Sequence, residues 1–214
     1  MSEEQPQQSA APAKAARGQE GGGKAAAGAA PAAGRAAANK QPPAPDPRVL
    51  AAKEQAERLH QAVADRFGPE AVLESGAAHH KPMLRIARER WLDAVNYLRT
   101  HPDWRLNYVE CMAGTDYEDR IEVVLFVQST ELGHFVCLKT QTPRDEAWLP
   151  SLVSVYPGVN WEEREIYDLL GVDFRGHPDL RRIMLDDDFV GHPLRKDYSV
   201  WAETERPLVD GQRP

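Results

Sequence analysis

From Val49 onward, apolar residues recur every three or four positions: Val49, Ala52, Ala56, Leu59, Val63 and Phe67. That spacing predicts an amphipathic helix. Asp46-Pro47 offers a cap and a first-turn proline, and Gly68-Pro69 a stop. The period then shortens. Residues 71–74 and 82–86 read as strands, and a second helix starts near Glu89, with Trp91, Leu92, Val95 and Leu98 on its apolar face. It ends before His101-Pro102, because the residue ahead of a proline avoids the helical region. Residues 106–112 alternate as a strand does. Residues 121–127 are almost wholly apolar and rich in β-branched side chains, as a central strand is. A short loop ending in Gly133 leads to a further run over 134–140, and the two runs read as an antiparallel hairpin. Trp148, Leu149, Leu152, Val153, Val155 and Tyr156 suggest another helix, closed by Pro157-Gly158.

A last helix carries Glu163-Arg164-Glu165. Asn160 reads as its N-cap, with Glu163 three residues on in the capping-box position, and Gly171 ends it. After the first helix the order is β–β–α–β–β–β–α–α. This implies an α+β fold, a mostly antiparallel sheet with helices on one face. Beyond Gly171 the chain is rich in Pro, Gly and Asp. Its apolar residues (Phe174, Leu180, Ile183, Leu185, Phe189, Leu194, Tyr198) are too scattered to build a core and need a surface to lie on.

Composition adds a third region. Residues 1–46 hold no aromatic and no β-branched side chain, so they cannot bury enough surface to offset the entropy of ordering. The expected organisation is therefore a disordered leader over 1–46, an α+β domain over 47–171, and an extended, irregular docking segment over 172–214. Charge divides in the same way. Residues 1–48 carry six Lys/Arg against four Asp/Glu, a balance of +2, and the rest carries 20 against 29, or −9, so the chain's net −7 comes from the folded part. Such an acidic surface is a poor binder of nucleic acid. No apolar run approaches the ~20 residues of a membrane helix, so no direct span is expected.

Two cysteines, Cys111 and Cys137, are too few to hold an iron–sulfur cluster and read as small buried hydrophobes. His134, His177 and His192 with Asp186-Asp187-Asp188 lack the rigid spacing of a metal site, and turn or surface roles suit them better. Glu163, Glu165 and Asp168 could serve as acid–base carboxylates. Their helical spacing, with Arg164 and Asp168 as an i,i+4 pair, favours a charge-laced interface helix instead. No Walker, nucleophile-elbow or dinucleotide fingerprint is present. Dense charge without attached chemistry points to docking against another protein. The expected interface residues are Arg164, Glu165, Asp168, His177, Arg181, Arg182, Leu194, Arg195, Lys196 and Tyr198. In this reading the leucines and aromatics anchor, while the arginines reach partner carboxylates.

Three blocks carry a resemblance: the helix Glu163-Arg164-Glu165-Ile166-Tyr167-Asp168, the turn His177-Pro178-Asp179-Leu180-Arg181-Arg182, and Gly191-His192-Pro193-Leu194-Arg195-Lys196-Asp197-Tyr198. In this order, residues 161–198 resemble the C (30 kDa) subunit of respiratory complex I, the proton-translocating NADH:quinone oxidoreductase. The resemblance implies a non-catalytic subunit of the peripheral arm, on the cytoplasmic side of the cell membrane and held there through partners. Those partners would be chiefly the D (49 kDa) subunit and the nearby B subunit. The complex uses NADH, FMN and iron–sulfur clusters, and the resemblance implies no cofactor in this chain. Related hydrogenase-type complexes use a homologous subunit, which leaves the electron donor open. A free-standing soluble enzyme built on the Glu/Asp/His cluster is the remaining alternative.

Overall fold

The computed structural model describes residues 46–199; the expected leader lies outside these residues apart from Asp46. Helix α1 spans Pro47–Phe67, and the Asp46 carboxylate accepts from the Arg48 amide at 2.8 Å, as the cap reading expected. Ala52, Ala56, Leu59 and Val63, one stripe of that helix, are buried. A 3₁₀ turn then feeds the hairpin of β1 (Val72–Ala78) and β2 (Lys81–Ile86). Helix α2 (Trp91–Thr100) follows, burying Trp91, Ala94, Val95 and Leu98. Strands β3 (Tyr108–Asp116), β4 (Arg120–Gln128) and β5 (Phe135–Pro143) form an antiparallel meander. β5 then lies parallel to β2, giving the order β1-β2-β5-β4-β3.

Alternation along these strands sorts the sheet into two faces. Leu84, Ile86, Val123, Leu125, Val127, Val136 and Leu138 join the buried stripes of α1 and α2 and the residues Ile166 and Leu170 in one apolar cluster. The opposite face holds Met83, Arg85, Glu122, Val124, Phe126, Cys137 and Lys139. Its charges pair across strands. Arg85 reaches Glu74 at 2.9 Å and also Glu122, which in turn accepts from Lys139 at 2.8 Å. Burial alone would raise the Glu122 pKa, but bonds from Lys139 and Arg85 hold it below the ordinary value.

Three expectations need correction. Residues 148–156 are not a helix: Trp148–Pro150 forms β6, parallel to β7 (Asp173–Arg175), followed by a turn. Leu149, Leu152, Val155, Tyr156 and Val159 are all buried, so the helix-like spacing comes from a turn buried on several sides. Tyr156 is held there by its hydroxyl, which donates to the Leu106 carbonyl. Cys137 is buried but Cys111 is exposed. A bulge between Val109 and Cys111 shifts the β3 register, placing Cys111 opposite Phe126 on the outer face. Finally, Val172 and Phe174 belong to the core, so the ordered domain continues past Gly171 through β7. From residue 176 to 199 the chain forms turns and bends, with no helix or strand.

The burial of Phe174, 1% exposed opposite Leu149, makes β7 part of the folding unit. Phe174→Ala is expected to cost about 3–5 kcal/mol of global stability. Denaturant unfolding monitored by tryptophan fluorescence checks this; a loss confined to the residues after 175 would contradict it.

Candidate functional site

The three motif blocks come together on α3 (Asn160–Leu170). Most of their charge is spent inside the chain. Asp168, 0% exposed, faces the strap formed by residues 176–199. Its Oδ2 accepts from three consecutive amides: Ile183 at 3.0 Å, Met184 at 2.8 Å and Leu185 at 3.0 Å. Its Oδ1 accepts from Arg182. Removal from water pushes its pKa up, but the Ile183 amide, Arg182 and the Met184 and Leu185 amides outweigh that and hold it below the usual range.

Arg182 itself continues the lashing. Its Nη2 donates to the carbonyls of Phe189 at 2.8 Å and Gly191 at 3.2 Å. Arg164 donates to the carbonyls of Arg181 at 3.0 Å and Arg182 at 2.9 Å. Arg195 donates from Nε to the Leu170 carbonyl at 2.7 Å, at the carbonyl-rich end of α3 where a cation is favoured. His192 Nδ1 lies 2.9 Å from the Asp168 carbonyl, which can only accept, so that nitrogen carries the proton. Burial first, then Arg195 and Arg182, lower the His192 pKa despite the Asp168 carbonyl. Gly171 turns the chain with φ +72°. A Cβ there would fall 2.5 Å from the His192 ring and 2.8 Å from Arg195, so glycine is required twice over.

Arg164 and Asp168 are therefore not free to face a partner, nor Arg182 and Arg195 to reach its carboxylates, as the sequence reading expected; all four shape the strap. The other expected residues divide. His177 Nδ1 accepts from the Asp179 amide at 2.9 Å, which leaves Nε2 to donate to the Asn160 carbonyl at 3.4 Å. Tyr198 stacks on Phe189 with ring centroids 6.2 Å apart. Lys196 places its amide 2.8 Å from Asp116 Oδ2, fixing the strap to the end of β3. Arg181 is exposed and holds Asp179 at 2.9 Å. Glu165 is exposed, and so is Leu194, at 59%.

Glu163 also departs from the capping reading. Val159 occupies the cap position with no side-chain bond, and the helix begins at Asn160. The Glu163 carboxylate is fully buried, accepting from Ser151 Oγ and from the Leu152 amide, each at 2.6 Å. It ties α3 to the end of β6. Burial pushes its pKa from the usual 4.5 up to about 7, and those two bonds offset only part of that. Sequence reasoning missed this clamp because Ser151 lay inside the predicted helix. It also missed Asp116, which receives Arg144 at 3.0 Å. Among the described residues no group of three or more His, Cys, Asp or Glu side chains is placed to hold a metal ion.

Chemically, this is a charged cluster that satisfies backbone donors and acceptors, turning an irregular segment into a defined surface over one helix. A chain of the membrane-bound sulfane sulfur reductase, an archaeal respiratory membrane complex, shares the fold. It has a TM-score of 0.54 at 21% identity over 75% of this chain and 99% of that one. The C subunit of NADH-quinone oxidoreductase from Chlorobium phaeobacteroides is 39% identical over 150 residues, 68% of this chain and 90% of that protein. Its counterpart from a Caulobacter species is 45% identical over 119 residues, 54% of this chain and 55% of that protein. Residues 84–204 match the family described as the respiratory-chain NADH dehydrogenase 30 kDa subunit. The chain belongs to that family.

Asp168→Asn keeps the shape but turns an NH₂ group toward either Arg182 or the three amides. Breaking a buried pair in this way costs about 3–5 kcal/mol. The expected outcome is faster proteolytic cleavage within 176–199 and a lower unfolding midpoint. Because the Asp168 pKa is depressed, its contribution is complete above the ordinary value of about 3.9 and is lost as pH falls through the folded value. Glu163 runs the other way. Its raised pKa gives stability that is present below 4.5 and lost as pH rises to about 7. Glu163→Gln retains an acceptor for Leu152 and a donor to Ser151. It is expected to remove roughly 3 kcal/mol of pH dependence across that window, at about 1.36 kcal/mol per unit. Urea melts at several pH values, wild type beside variant, check it.

Proposed function

We propose that this chain is a non-catalytic subunit of the peripheral arm of NADH:quinone oxidoreductase. It would support electron transfer from NADH to quinone, coupled to proton translocation, by holding its neighbours in place. Its sequence membership in the 30 kDa subunit family carries this reading. The geometry agrees, because the motif residues Asp168, Arg182 and Arg195 build a strap rather than a reaction centre. Among the charged residues that the strap exposes stand three large apolar side chains: Met184, Val190 and Leu194 are 62%, 59% and 59% exposed. Side chains of this kind, standing on a rigid backbone, suit a protein neighbour. In this reading the neighbours are chiefly the D and B subunits, and FMN and the clusters reside in partner chains.

The location follows from the same reading. Among the described residues no helix is long and apolar enough to cross a membrane. Attachment to the cytoplasmic side of the cell membrane would therefore run through partners. A hydrogenase-type complex is the second reading; a chain of another respiratory membrane complex, the sulfane sulfur reductase, shares this fold. The two differ in electron donor. Purification of the tagged full-length chain from native membranes decides between them. The expected result is copurification with flavin- and cluster-bearing chains and NADH:quinone activity. A complex that ignores NADH supports the second reading. Turnover by the chain alone, without partners, overturns both.

A further inference from the structure

Strand β3 lies at one edge of the five-stranded sheet, and among the described residues β4 is its single strand neighbour. Its nine residues thus leave one row of backbone donors and acceptors without a strand partner among those residues. An edge of this length is a template for a further strand. A cavity of about 80 Å³ opens beside it, between Ala113 and Gly114 on the strand, Ile166 and Leu169 on α3, and the exposed Leu194 of the strap. Gly114 is what brings α3 so close. A Cβ there would lie 2.5 Å from Leu170 Cδ1 and 3.1 Å from Ile166.

The rim of this edge is acidic. Glu110 sits at the bulge of β3, and Glu162 and Glu165 project from α3. Among the described residues none of the three forms an ion pair, in contrast to the paired carboxylates of the outer sheet face. The Glu162 Oε2 atom is buried and has no hydrogen-bond partner among the described residues. Burial first, then the fields of Glu110 and Glu162, raise the Cys111 thiol, which places both carboxylates around the middle of the strand. Unpaired carboxylates beside an apolar cavity call for a donor-rich occupant. They also disfavour a second copy of this chain, because pairing β3 with β3 would bring like charges together.

We propose that the β3 edge accepts an extended segment of a neighbouring subunit, which adds a sixth strand, seats an apolar side chain in the Ala113–Leu194 cavity and brings Lys or Arg to Glu110, Glu162 and Glu165. Main-chain bonds provide affinity in this mode, and the cavity with its acidic rim provides selectivity. The inference rests on the chain being a subunit of a larger complex.

Cys111 is an exposed probe on this strand, and Cys137, buried with its pKa pushed up to about 11, is an internal control. Maleimide labelling is measured on the isolated full-length chain and on the purified complex. Cys111 is expected to label readily in isolation and roughly tenfold or more slowly in the complex, with Cys137 inert in both. Glu110→Lys combined with Glu165→Lys is expected to lower recovery in the complex by about tenfold or more, with the isolated fold unchanged by circular dichroism. A photo-cross-linker on Cys111 should capture a Lys- or Arg-bearing peptide of another subunit. Equal labelling in both states overturns the proposal, as does protection already present in the isolated chain, which would mean that a second copy or its own chain covers the edge. Capture of an acidic peptide also overturns it. Failure of the chain to join any complex is a different outcome, and it refutes the proposed function itself.

Discussion

The strap depends on one buried carboxylate. Asp168 has no exposed surface, and an isolated charge there would be prohibitively costly. Three consecutive amides and one guanidinium balance it, and all four come from residues 182–185. The condition works in both directions. The strap cannot leave without abandoning a charge in a dry site, and the helix cannot keep that charge without the strap. A segment with few apolar anchors acquires a unique path because moving it by a single residue would break several charge-assisted bonds together.

Arginine suits this task better than lysine. Arg182 serves Asp168, Phe189 and Gly191 from one planar fork, and Arg164 and Arg195 each donate to two carbonyls. An ammonium on a flexible stem cannot span such separated acceptors with a fixed geometry. The turns Gly176-His177-Pro178 and Gly191-His192-Pro193 work in the same economy. Each histidine closes onto a backbone carbonyl of α3, at Asn160 and at Asp168. The sequence echo between the two blocks thus corresponds to two attachments of the strap, one toward each end of a single helix.

Period-2 and period-3.6 patterns made most of the fold legible. α1, α2 and the β4–β5 hairpin lie where their apolar spacing placed them, because each buries one clean face. Residues 148–156 failed for a physical reason: a turn buried on several sides has no face, and its spacing imitates a helix. Cys111 failed because a bulge is a property of pairing, invisible in one strand alone. At the site, Arg164, Asp168, Arg182 and Arg195 turn inward, and the sequence reading misjudged their direction. Nothing local to Arg164 or Arg182 distinguishes a guanidinium aimed at a partner from one folded back onto its own carbonyls. Asp168 gave no local signal either: two residues from both Ile166 and Leu170, it lies on the helix face opposite that apolar pair, and it is buried because residues 182–185 cover that face.

Two carboxylates on α3 show how the same helix separates strength from adjustability. Asp168 is overcompensated by four donors, so its charge persists at low pH. Glu163, five residues earlier, has two donors, neither of them charged, and desolvation wins. Near neutrality one holds the strap as a fixed anion, while the other can join α3 to β6 as a neutral acid. Neither group has exposed surface, but Glu163 lies deeper among protein atoms, so heavier desolvation acts together with its weaker partners. The strap side of α3 is thereby locked electrostatically. The β6 side is held chiefly by packing and neutral hydrogen bonds, the kind of contact that continues into the Leu149, Leu152 and Phe174 core.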